Sequence, residues 1–165
     1  MTERLTTGEM ARVTGVPQQT LISWDRAGVL KASARPGKRS SPRAPRLYDE
    51  NGLIAGLFAR NASLMGFKGE YLKRMIAVMQ SGDRKRLGRA GLFSYRTYPG
   101  MMKHVFSVDL ADKDDRRWID WIRKTGALID EPTSLWTIHQ HLAPQARQLM
   151  REPSPLAPNP PMENR

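Results

Sequence analysis

The chain has 165 residues, 39% of them hydrophobic, enough for one ordinary domain or two small ones. It has no cysteine, which excludes disulfides, thiolate zinc sites and cysteine redox chemistry, and no apolar run approaches the ~20 residues that a membrane helix needs. The net charge of +11 is lopsided: basic side chains outnumber acidic ones by ten over residues 1–91 and by one over residues 92–165. Such asymmetry reads as an electrostatic footprint for a polyanion, most simply double-stranded DNA. Residues 1–7 are polar with no apolar signal core, so a cytoplasmic, nucleoid-associated protein is expected.

Thr6 followed by Glu9 has the form of a capping box and opens a first helix, with Leu5, Met10 and Val13 as its apolar side. Gly15 suits a tight turn, and Pro17 fixes φ where a second helix starts. Leu21 and Trp24 should face inward from that helix, and Gly28 should end it. Two short helices joined at Gly15-Val16 make a helix-turn-helix candidate. Gln18, Gln19, Thr20 and Ser23 then lie on the exposed side of the second helix, where an amide can both donate to and accept from adenine. A solvated amphipathic helix would carry the same pattern.

The next segment shifts the balance. Residues 31–46 carry Lys31, Arg35, Lys38, Arg39, Arg43 and Arg46 with no acid, and Pro36, Pro42 and Pro45 forbid a helix. An exposed loop or long-tipped hairpin is expected, whose guanidinium groups can pair with phosphates or enter a narrow minor groove. A helical reader followed directly by a basic loop is rarely produced by a linker. Leu47-Tyr48 can form a return strand, and Asp49 caps a third helix with Leu53, Ile54, Leu57, Phe58 and Leu64 on its apolar face. A fourth helix starts near Gly69, uses Tyr71, Leu72, Met75, Ile76 and Met79 as core, and stops at Gly82.

At this point the residues resemble the DNA-binding domain of the MerR family of bacterial transcription regulators. The matching pieces are Leu5-Thr6-Thr7-Gly8-Glu9-Met10-Ala11, Gly15-Val16, Thr20-Leu21, Trp24-Asp25-Arg26-Ala27-Gly28-Val29-Leu30, Arg46-Leu47-Tyr48-Asp49 and Met65-Gly66-Phe67. Their order and spacing agree over about the first 80 residues, apart from a longer loop before Arg46. The resemblance implies a winged helix-turn-helix, with the second helix in the major groove and the basic loop as a wing. It also implies a homodimer on a pseudo-palindromic operator, often within a promoter read by RNA polymerase. Carried over by position, Thr20 and Ser23 lie on the recognition helix and Arg46 contacts phosphate at the base of the wing. Tyr48 is placed in the same DNA-facing set.

Three departures matter. Ile22-Ser23-Trp24-Asp25 stands where the family often has Arg-Tyr-Tyr-Glu, so an arginine and a tyrosine that touch DNA are absent. The extended wing is expected to compensate. The dimer-forming coiled coil is replaced over residues 81–91 by a glycine-containing basic stretch that reads as a linker or loop. The missing cysteines remove the family's thiolate metal sensing.

Residues 92–110 alternate like two strands around Pro99-Gly100, and Asp112 caps a helix over residues 113–125 that carries Trp118, Trp121 and Ile122. Residues 127–129 read as a strand, residues 134–138 as a further extended piece, and residues 143–150 as a final helix. From Pro153 the chain is proline-rich, which predicts disorder. The expected architecture is therefore mostly α with small β content: a winged helix-turn-helix over 1–80, a basic linker over 81–91, and a small α/β dimerisation or effector unit over 92–152. Trp118, Trp121 and Trp136 could line a ligand pocket, form a dimer interface or fill a small core. His104, His139 and His141 lack a carboxylate cluster, so no metal or cofactor is expected. No nucleophile–base pair or phosphate loop points to an enzyme.

The leading expectation is a sequence-specific transcription regulator; the sequence leaves open whether a small-molecule effector is among its partners. An excisionase-like architectural protein that bends DNA in recombination is the alternative.

Overall fold

The computed structural model describes residues 4–33, 45–97, 100–124, 128–129 and 132–152. It is mostly helical, with two small antiparallel sheets among the described residues. Strand β1 (Leu5–Thr6) runs into α1 (Thr7–Thr14), and the capping box is complete: Thr6 Oγ1 accepts the Glu9 N–H, and the Thr6 N–H donates to Glu9 Oε2 at 2.7 Å. Gly15, at φ +74°, turns the chain into α2 (Gln18–Arg26). Strand β2 (Leu47–Tyr48) pairs antiparallel with β1, Leu5 opposite Tyr48. Asp49 Oδ1 then accepts the Gly52 N–H and starts α3 (Glu50–Leu64).

Helix α3 is the centre of the molecule. It is buried continuously from Gly52 to Ala59, because α1, α4 (Gly69–Ser81) and α7 (Leu135–Arg151) all pack on it. Its small residues permit this enclosure. A Cβ on Gly56 would sit 3.0 Å from both Met10 Cε and Thr14 Cγ2, so glycine lets α1 approach. Leu64 is expected on the apolar face but is exposed, and so is Tyr71 on α4. Both lie close to the α3–α4 turn.

Residues 81–91 correct the linker expectation. They contain α5 (Arg84–Arg89), because Asp83 accepts the N–H groups of Lys85 and Arg86 at 2.8 and 3.1 Å and Leu87 is fully buried. Those two donors hold the Asp83 carboxyl below its usual range. The hairpin follows as expected, with β3 (Gly91–Thr97) antiparallel to β4 (Met101–Ser107). Asp112 Oδ1 accepts from Asp114 and Asp115 to open α6 (Lys113–Lys124). Strands β5 (Leu128–Ile129) and β6 (Thr133–Ser134) both pair with β3.

A second correction concerns residues 134–138. Ser134 Oγ caps α7 by accepting the Thr137 N–H, and the helix then continues through Pro144. Proline removes one backbone bond, to the carbonyl of Gln140, a residue on the exposed side. Burial of Leu142, Ala143 and Ala146 against α3 outweighs that loss.

The expected division near residue 80 is not a division of the core. Leu87, Leu92, Phe106, Leu135 and Leu142 belong to one buried cluster with Met10, Leu53 and Ile76. A smaller cluster of Phe93, Ile119 and Ile122 sits beneath α6. Two polar contacts cross the same boundary: Arg147 Nε donates to Glu50 Oε1 at 2.9 Å, and His139 meets Asn51 at 3.3 Å. No helix among the described residues is long and apolar enough to cross a membrane. The expected disordered stretch, 153–165, lies outside the described residues.

Candidate nucleic-acid interface

Helix α2 is amphipathic by construction. Leu21 is fully buried and Trp24 packs half-buried on the core, which turns Gln18, Gln19 and Ser23 to solvent. Thr20 is half-buried beside them. Gln19, Ser23 and Arg26 recur at i, i+4 and i+7 and form one exposed polar stripe. Arg26 was not among the residues expected from sequence, although its spacing from Gln19 carries the signal.

The turn before α2 is clamped from a distance. Arg60, on α3, donates through Nη1 to the Gly15 carbonyl at 2.6 Å. This residue could not be singled out from sequence, because 45 positions separate donor and acceptor. The bond ties the α1–α2 turn to α3.

The basic loop leaves and returns beside the C-terminus of α2. Asp25 Oδ1 accepts the Ala32 N–H at 2.9 Å on the outgoing arm, and Asp25 Oδ2 accepts from Arg46 Nε at 2.6 Å on the returning arm. The arms also bond to each other: the Ser33 N–H donates to the Leu47 carbonyl at 2.8 Å, and the Asp49 N–H to Ser33 Oγ at 3.0 Å. Gln80, at the end of α4, grips the outgoing arm twice, accepting the Lys31 N–H at 2.9 Å and donating to the Lys31 carbonyl at 2.6 Å. Long-range contacts of this kind carry no sequence periodicity.

The geometry bears on two of the expected site residues. Arg46 is only 14% exposed and its Nε donates to Asp25, so it helps to fix the base of the loop. Tyr48 is fully buried. Neighbouring strand residues point to opposite faces, and Tyr48 points inward against Gly52. Arg35, Lys38, Arg39 and Arg43 lie outside the described residues. What the described residues show is where their loop is rooted.

The three tryptophans are not gathered into one site. Trp118 contacts Phe93 and Tyr95 at ring-centroid distances of 5.7 and 5.6 Å, and Trp121 on the same helix is 60% exposed. Trp136 lies elsewhere, stacked on His139 with Arg84 over its ring. The histidines are separated too: His104 bonds Ser94, while His139 meets Asn51. Among the described residues no group of three or more His, Asp or Glu side chains comes together to hold a metal. No protein-family model matches the chain, and no curated protein matches it.

Proposed function

We propose that this protein is a sequence-specific DNA-binding transcription regulator, with α2 in the major groove and the loop of residues 34–44 as a basic wing on the backbone. The observation that carries the reading is the double grip of Asp25. One carboxylate on the reading helix holds both arms of a loop whose four remaining cations have no acid among them. On this reading the helix meets base edges and the loop meets phosphates. The MerR resemblance supports the same arrangement and adds a homodimer.

The test is selection of bound duplexes from a random-sequence library with the full chain. An enriched motif is expected, and inverted half-sites about 10 base pairs apart would report a dimer. Gln19→Ala with Ser23→Ala should lose the motif while retaining salt-dependent binding to any duplex. A library that returns no enriched sequence would overturn the reading.

A further inference from the structure

A groove of about 700 Å³ opens between the start of α4, strand β4 and α6. That volume lies within the range of small-molecule sites. Its walls are aromatic: Tyr71 is 63% exposed, Trp118 37%, and Tyr95 lies beside Trp118 in an edge-on contact that fixes the indole. Phe67 and His104 add a further pair of rings 6.4 Å apart.

The charged side chains of the groove are two cations, Lys68 and Arg74, against one carboxylate, Asp115. Lys68 and Arg74 are exposed on its α4 side, and among the described residues no carboxylate pairs with either. Lys73, on the same helix, takes Glu70. The groove's own carboxylate, Asp115, is engaged by the hydroxyl of Ser107. Exposed rings beside two unmatched cations suit a flat apolar body bearing a negative group. A second copy of this chain suits them less, because each copy carries a net charge of +11.

We propose that this groove binds a planar aromatic anion, its ring against Tyr71 and Trp118 and its carboxylate or sulfonate on Lys68 and Arg74. The site is separate from α2 and does not rest on the DNA reading.

The full-length protein, without nucleic acid, is titrated with 2-naphthoate and separately with 2-naphthylmethylammonium, which joins a similar ring to the opposite charge. Backbone amide shifts at Gly66, Lys68 and Val108 report the groove. Naphthoate is expected to move these signals. The double variant Lys68→Gln/Arg74→Gln, altered only at exposed positions, should bind it about fivefold more weakly, as loss of two solvent-exposed ion pairs allows. The proposal fails if naphthoate leaves the groove signals unmoved at millimolar concentration, or if the ammonium compound binds as tightly. Groove signals that shift with protein concentration alone would place a second copy there and would overturn it equally.

Discussion

Arg46 Nε lies 2.6 Å from Asp25 Oδ2, with the two side chains only 14% and 5% exposed. The pair joins the end of α2 to the returning arm of the basic loop across 21 positions. Taking one partner away leaves a charge that has been removed from water without compensation. Asp25→Ala is expected to cost about 3 kcal/mol in urea unfolding. Asp25→Ala with Arg46→Met should cost less than Asp25→Ala alone, because no stranded charge remains. Equal losses in the two variants would mean that the Ala32 N–H, not the ion pair, is what Asp25 chiefly serves.

The loop cations make a separate prediction. The segment that carries Arg35, Lys38, Arg39 and Arg43 has no acidic residue, and Asp25 holds the described residues on either side of it, Ala32 and Arg46. Replacing all four by Gln should flatten the plot of log affinity against log salt by about 0.9 for each phosphate that is no longer neutralised. An unchanged slope would show that the loop does not lie on the DNA backbone.

His139 gives the fold a pH dependence. Its Nε2 faces Asn51 Oδ1 and its Nδ1 faces Gln140 Nε2, the partners of a neutral ring. Burial lowers its pKa below the ordinary 6.5; nearby Glu50 opposes the shift and Arg147 adds to it. The folded state therefore resists a proton that the unfolded chain accepts. Stability should be full above about pH 6.5 and fall as the pH drops below it, by no more than about 1.4 kcal/mol per pH unit from this group. Urea unfolding of wild type and His139→Gln across that window checks the sign. The variant should lose the His139 component of the slope.

A fragment of residues 1–82 should not fold cooperatively. It would lack Leu87, Leu135 and Leu142 from the cluster around α3, together with the close-packed Ala143 and Ala146. Each missing leucine costs about 2–5 kcal/mol, and three such losses compare with a whole domain's stability of about 5–15 kcal/mol. Thermal unfolding followed by circular dichroism checks this: a sharp transition in the fragment would show that the N-terminal helices stand alone.

Local chemistry was legible in the residues themselves. The capping box of Thr6 and Glu9, the left-handed turn at Gly15, the Asp49 and Asp112 caps and the stop at Gly82 all depend on residues within a few positions of one another. So does the exposure of Gln18, Gln19 and Ser23, which follows once Leu21 and Trp24 turn inward. The charge asymmetry between the two halves is composition alone and needs no fold.

Only the tertiary structure decided what lies between distant positions. It turned residues 81–91 from a linker into α5 by burying Leu87, and it carried α7 through Pro144 by packing it on α3. It placed Tyr48 in the core and Arg46 on Asp25, and it recruited Arg60 and Gln80 to hold the turn and the loop base. The physical reason is common to all of these. Caps and turns are settled by backbone groups three or four residues apart, whereas burial and ion pairing depend on which surfaces meet once the chain has folded, and periodicity in one segment carries no information about its partner.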